Sequence, residues 1–422
     1  MTTLDPGPAP LEEHGRPEAQ DQHGEPPVTT TPEQAARGVT PSSLLRTLPG
    51  PTYTDAGWWA AECEQVFERS WFCAVRADDL PRPGSFRTVT VGRESVLISR
   101  TRRGEVRAFL NVCRHRGARI CTEESGERQR SFQCPYHAWT YDFEGKLVAA
   151  PNLTSMPDVD RVEFGLRTVD VHTWLGYVWV SLARLHGDEP PSFAETVEAE
   201  VVERLGSLAP LASYDVDGLR LGRRITYDVA ANWKLIVENF MECYHCATIH
   251  PELTEVLPEF ADGLAAQYYV NHGAEFGDDV AGFTVDGSAG FDPLPGVAED
   301  QDRRYYAMTI KPQVFVNLVP DHVIVHRMVP MGPERTVVEC DWLYAPSVVE
   351  RAGAGDADVL ARLDASVELF HRVNSQDFEA CERCQPAMGS RLYAEGGVLV
   401  PSEHHIEAFH DWVRDRVEGV AR

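Results

Sequence analysis

Basic charge is scarce in this chain of 422 residues: 39 Lys and Arg stand against 65 Asp and Glu, a formal net charge of −26. A nucleic-acid binder needs a basic stripe to displace counterions, so that class is excluded. Long apolar runs are missing as well. Runs such as Val323-Ile324-Val325 fall far short of the ~20 residues that span a bilayer. The opening MTTLDPGPAPLEEHG has neither the basic nor the apolar stretch of a secretory signal. The expectation is a soluble cytoplasmic protein with no membrane and no nucleic-acid partner. No internal repeat is visible, and no G-x-G-x-x-G follows a strand to cradle a dinucleotide. What is present is ordinary globular composition, 43% apolar and 25% charged, in a chain long enough for two domains.

Residues 1–50 hold nine prolines and few aromatics, too little apolar surface to offset ordering entropy, and read as a disordered tail. From Asp55 to Trp71, apolar residues at three- and four-residue spacing predict a helix. Strand patterns cover 85–91, 95–99, 106–112 and 174–182. A Pro190-Pro191 break precedes a helical stretch to Leu208, and alternation returns over 210–230. Asn232 to His250 reads as one helix stopped by Pro251. A Gly- and Asp-rich loop over 274–303 leads to strands at 307–318, 322–330 and 336–344, then helices at 355–388 and 403–421. Elements in blocks, with antiparallel-looking strands, make the class α+β.

Two groups of metal-ligand side chains stand out. Cys113-Arg114-His115 and Cys134-Pro135-Tyr136-His137 each offer one thiolate and one imidazole at the end of an extended run. Two Cys and two His could hold zinc, or a [2Fe–2S] cluster with Cys on one iron and His on the other. Zinc fingers keep like ligands together, whereas each loop here mixes the two types, and Trp139-Thr140-Tyr141 follows the second. That is the Rieske pattern. Cys121, between the loops, reads as a buried structural thiol.

The second group is MECYHCATIHP, with Glu242, His245 and His250. On a continuous helix Glu242 and His245 would share a face, and two histidines with a carboxylate would leave open positions on iron. A rival reading pairs Cys243-x-x-Cys246 with Cys381-x-x-Cys384 as a zinc site, although both pairs are as easily small packing residues.

CRHRG with CPYHAWTY, together with NWKLIVENFMECYHCATIHPE, resembles the large (alpha) subunit of Rieske non-heme iron oxygenases, the ring-hydroxylating oxygenases, from about Thr52 to the C-terminus. The resemblance implies an N-terminal helix and antiparallel Rieske domain over 51–185. It implies a helix-grip-like catalytic domain, an antiparallel sheet with helices, over 186–422. Cys113, His115, Cys134 and His137 would hold the [2Fe–2S] cluster, and His245, His250 and Asp377 of NSQDFEACERCQ a mononuclear Fe(II). Glu242 would bridge a cluster histidine of one subunit and an iron histidine of the next, with Asn239 a further polar group near the iron. Many family members carry Asp at the bridge; the Glu here is similar to the glycine betaine, choline and carnitine monooxygenase branch.

The same resemblance implies a homotrimer fed by a separate flavin and iron–sulfur reductase, using O2 to hydroxylate a small molecule. In that branch the product of N-methyl hydroxylation falls apart to formaldehyde and the demethylated amine. A quaternary amine would want an aromatic cage, with Tyr268, Tyr269, Tyr305, Tyr306, Phe315 and Trp342 as candidates by composition. The competing readings are an arene dioxygenase and a non-catalytic iron–sulfur or zinc protein.

Overall fold

The first half of the fold holds ten strands. They are β1 (Phe72–Arg76), β2 (Ser85–Val91), β3 (Glu94–Arg100), β4 (Val106–Leu110), β5 (Ser125–Glu127), β6 (Phe132–Gln133), β7 (Thr140–Tyr141), β8 (Leu147–Ala149), β9 (Thr168–Trp174) and β10 (Tyr177–Ser181). They form a seven-stranded sheet in the order β1-β10-β9-β4-β3-β2-β5 and a three-stranded sheet β6-β7-β8, all pairs antiparallel. Between them Phe86, Leu97, Phe109, Phe132, Tyr141 and Phe143 close a small core of their own. This is a computed structural model describing residues 45–128, 130–155, 160–263 and 270–419. The expected tail lies almost wholly outside the described residues, as do Tyr268 and Tyr269.

The second half is built on a six-stranded antiparallel sheet, β11-β16-β15-β14-β13-β12. Its strands are β11 (Arg220–Val229), β12 (Ala274–Glu275), β13 (Arg304–Ile310), β14 (Val314–Val319), β15 (His322–Gly332) and β16 (Arg335–Tyr344). The stretch 307–318, read above as one strand, is two strands joined by Lys311-Pro312-Gln313. Pro312 has no N–H for a ladder, so the chain turns there. The helices are α1 (Ala56–Glu62), α2 (Ala199–Leu205), α3 (Ala209–Ser213), α4 (Trp233–Phe240), α5 (Cys246–Ile249), α6 (Pro251–Val256), α7 (Pro346–Gly353), α8 (Ala357–Met388) and α9 (His404–Glu418). Long α8, with its buried Leu363, Val367, Phe370, Val373 and Phe378, shares a core with Phe315, Ile324 and Trp342 of the sheet.

Among the contacts that tie the halves together, two groups stand out. Strand β1 is an edge strand, and an unpaired edge needs covering. Gln313 Nε2 donates to the Cys73 carbonyl at 2.9 Å, and the guanidinium of buried Arg327 donates to that of Ala74. Beside them Tyr177 Oη donates to Asp341 Oδ2 at 2.9 Å, while Arg224 reaches both Asp341 and Asp79. The second tie is the N-terminal segment, which crosses to the C-terminal half. Gly50 passes so near the end of α8 that an added Cβ would lie 2.2 Å from the Met388 carbonyl oxygen, and Tyr53 Oη donates to Glu238 at 2.7 Å. On α1, the Glu62 carboxylate meets Lys234 Nζ at 2.6 Å with both side chains fully buried, and it also accepts from Trp58 and Trp233.

Candidate metal centres

The two Cys/His loops are built to one plan. Cys113 N donates to the Ala118 carbonyl at 2.8 Å and Gly117 N to that of Cys113 at 3.0 Å. In the other loop Cys134 N donates to the Trp139 carbonyl at 2.8 Å and Ala138 N to that of Cys134 at 3.1 Å. Each loop turns back through a left-handed residue, Gly117 at φ +73° and Ala138 at φ +55°; glycine meets that demand without strain, alanine only with help from its surroundings. Cys113 and Cys134 are buried, and His115 and His137 are exposed.

Burial pushes the Cys134 thiol up, and the adjoining Cys113 thiol adds to it. Tyr141 Oη sits 3.4 Å from Cys113 Sγ. The two imidazole rings lie 4.7 Å apart, His115 stacked on Trp139 at 5.0 Å. Two adjoining thiols inside and two imidazoles outside are the donor set that would hold a [2Fe–2S] cluster with thiolates on one iron and imidazoles on the other. Cys121 is buried, and its thiol is pushed by burial up to about 12.

The predicted single helix over 232–250 is broken. Asn232 caps α4 through Lys234 N, and α4 ends at Phe240. Glu242 then competes with the helix: its carboxylate accepts the backbone N–H of Tyr244 and, at 3.3 Å, of His245, the local side-chain bonding that favours caps and turns over helix interiors. Pro251 starts α6 rather than stopping a helix, which is where a missing N–H costs nothing. Glu242 and His245 are therefore neighbours by a turn, not by a shared helical face.

These short pieces point His245 and His250 at Asp377 of α8. Asp377 Oδ1 lies 2.7 Å from His250 Nε2 and 3.2 Å from His245 Nε2. All three ligand atoms fall within 4.8 Å of one another, the one such group among the described residues. Glu242 accepts from His245 Nδ1 and Gln376 from His250 Nδ1 at 2.7 Å, which leaves each Nε2 for a metal. Gln376 is held in turn by Glu252 at 3.0 Å. Burial disfavours a charged His245, but the bonds to Asp377 and Glu242 outweigh it and push the ring up to about 10. Burial likewise opposes the charge on Asp377, and the two histidines hold its carboxyl below the usual range. A cation held there would displace those protons. Two imidazoles and a carboxylate with an open side suit ferrous iron.

Asn239 Nδ2 is 3.5 Å from His245 Nε2, and its buried Oδ1 has no partner among the described residues. The rival zinc reading fails, because Cys243 and Cys246 are joined in a disulfide while Cys381 is buried and Cys384 exposed as free thiols.

Beside the triad is a cavity lined by Phe240, Phe260, Tyr305, Phe315 and Phe370. Tyr305 and Phe315 were candidates for an aromatic cage. Tyr306 and Trp342 are not in the lining: Tyr306 faces the opposite side of β13, in a different core, and Trp342 is fully buried deeper under α8.

Residues 70–166 match the Rieske [2Fe–2S] domain family, and residues 216–419 match the family described as ring hydroxylating alpha subunit (catalytic domain). The chain is 32% identical to the glycine betaine monooxygenase oxygenase subunit of Pseudomonas aeruginosa, over 92% of this chain and 94% of that one. It is 27% identical to the carnitine monooxygenase oxygenase subunit of Escherichia coli, over 86% and 92%. Its fold superimposes on a quaternary ammonium Rieske monooxygenase with TM-score 0.68 at 24% identity, covering 88% of this chain and 96% of the other. Naphthalene 1,2-dioxygenase from Rhodococcus sp. gives TM-score 0.68 at 19% identity, over 93% and 98%. The chain belongs to the Rieske-type ring-hydroxylating oxygenases, enzymes whose alpha subunit carries a [2Fe–2S] cluster and a mononuclear iron.

Proposed function

We propose that this chain is the oxygenase component of a reductase-dependent monooxygenase acting on an N-methyl group of a quaternary ammonium compound such as a betaine. The observation that carries the reading is the cavity beside the triad: aromatic faces line it, its carboxylates are Glu242 and Asp377, and among the described residues no Lys or Arg lines it. Such a wall attracts a cation that can neither donate nor accept a hydrogen bond. The names of the glycine betaine and carnitine relatives point the same way.

Cys113, His115, Cys134 and His137 are assigned to the cluster, and His245, His250 and Asp377 to the iron. When bound, these groups supply electrons and activate oxygen. The protein's own residues hold geometry. Glu242 and Gln376 keep the imidazole protons on Nδ1, Asp377 closes the triad from α8, and the aromatic wall seats the substrate while excluding water.

Glu242 also serves as the link to a second subunit in a homotrimer. Within one chain no hydrogen bond or ion pair joins it to His115 or His137 among the described residues, yet both of those rings are exposed and accessible to another copy. We assign 1–50 as a tail, 51–185 and 186–422 as the two working units, and the cytoplasm as the location; no helix among the described residues is long and apolar enough to cross a membrane.

The test is a single turnover. The iron-loaded protein, reduced chemically, is given oxygen with glycine betaine, carnitine and simple aromatic acids, and formaldehyde, hydroxylated product and peroxide are assayed. Formaldehyde with one amine is expected. A cis-diol from an aromatic acid would replace the reading by arene dioxygenation, and peroxide alone would remove the substrate class.

A further inference from the structure

Behind the aromatic wall lies a polar chain that the assignments above leave unused. Tyr305 Oη donates to Asn317 Oδ1. Asn317 Nδ2 lies 3.4 Å from His326 Nδ1, and His326 Nε2 lies 3.0 Å from Asn374 Oδ1. Asn374 Nδ2 then donates to Tyr227 Oη at 3.4 Å, and Tyr227 Oη meets His371 Nδ1 at 2.8 Å. Asn317, His326 and Asn374 are completely buried, whereas Tyr227 and His371 are half-buried. His326 sits under the cavity wall itself, its ring centre 5.2 Å from that of Phe240 and 5.8 Å from those of Phe315 and Phe370.

The chain runs in one sense. With Asn374 Oδ1 facing Nε2 and Asn317 Nδ2 facing Nδ1, the neutral His326 ring donates from Nε2 and accepts at Nδ1. Asn317 therefore turns its amide N–H toward His326 and its oxygen toward Tyr305. Tyr305 in turn commits its single hydroxyl hydrogen to Asn317, behind the wall. Its ring lines the cavity, and its hydroxyl has no second hydrogen to donate there. Burial holds the His326 imidazole down at about 4, against the upward pull of Asn374, so the ring stays neutral and the sense of the chain is kept. Protonation at Nδ1 would set two donors face to face and turn Asn317 over, releasing the Tyr305 hydrogen toward the substrate.

We propose that His326 is a positioning residue for substrate charge: acting through Asn317, it fixes Tyr305 as an acceptor and so makes the cavity prefer a permanently cationic ammonium head over a neutral group of the same shape. The inference rests on the quaternary-ammonium reading above.

Its test compares glycine betaine with 3,3-dimethylbutanoate, in which carbon replaces the cationic nitrogen, by calorimetric binding to the iron-loaded full chain. Wild type is expected to favour the betaine by at least about tenfold. His326→Leu and Tyr305→Phe should each erase most of that preference, with iron content and the cluster spectrum retained, and the double variant should lose no more than either single one. Tyr305→Phe removes one oxygen and keeps the ring, so it remains informative if His326→Leu folds poorly. Full preference in Tyr305→Phe overturns the proposal, as do losses that add in the double variant, because independent effects would mean that His326 does not act through Tyr305. A wild type with no preference overturns both this proposal and the quaternary-ammonium reading. A wild-type preference that survives in the variants overturns the positioning role alone.

Discussion

Gln376 Oε1 accepts the Nδ1–H of His250 at 2.7 Å. The next residue along α8, Asp377, takes the other ring nitrogen, so one helix grips both sides of one imidazole. Neighbours of this kind fix the tautomer and raise ligand basicity. Gln376→Leu should therefore weaken mononuclear iron binding about 10–100-fold while the cluster stays intact. Ferrous titration of the metal-depleted protein, read beside the visible cluster absorbance, checks it; an unchanged affinity would remove Gln376 from the site.

Asp377→Ala should empty the mononuclear site without bleaching the cluster. Wild type should hold about three irons and two acid-labile sulfides per chain, and the variant about two irons with the sulfide unchanged. Loss of sulfide as well would mean that the substitution unfolds more than the site.

Glu242→Gln should keep both metal centres loaded and lower turnover by roughly 100-fold, since an amide cannot accept from two imidazole N–H groups as a carboxylate does. A mixing experiment separates the roles within and between subunits. Glu242→Gln chains co-assembled with Cys113→Ser chains should recover activity that neither has alone, because a sound cluster then faces a sound Glu242 on the neighbour. No recovery would confine Glu242 to orienting His245.

Lys234→Met should destabilise the fold by about 3–5 kcal/mol, the usual cost of stranding one member of a buried pair. The carboxylate left behind, Glu62, is fully buried and keeps only the two indole donors of Trp58 and Trp233. Urea unfolding gives the number. Adding Glu62→Leu should recover part of the loss, and a single variant as stable as wild type would show that the pair contributes little.

Local signals were legible in the sequence. Each Cys/His loop is complete within a few residues, and its turn is closed by its own backbone, so spacing alone reveals it. Strands β2, β3 and β4 fall where 85–91, 95–99 and 106–112 read as strands. The break after Phe240 was not legible, because a glutamate is a good helix former until its carboxylate finds the N–H groups of Tyr244 and His245. Tyr305 and Tyr306 are indistinguishable by composition, and only the strand's period of two sends one into the cavity and the other away. The chain through Asn317, His326 and Asn374 joins residues 9 and 48 positions apart, and no short motif carries it. Gln376 gave no signal beyond standing next to Asp377.

The crossing of the N-terminal segment has a consequence for how the protein is made. Gly397 N donates to Thr47 Oγ1 and Leu399 N to the Leu45 carbonyl, contacts that span 350 residues in the first case. At the usual ribosomal pace the early segment waits roughly 20–70 s for its partners to be synthesised. Throughout that interval Leu48, buried in the finished fold, lacks the chain around Gly396 that passes beside it. A gene cut between the two halves would separate the segment from the surface it closes. The catalytic half made alone would then have to fold with that seam open, even though every iron ligand assigned to it is still encoded.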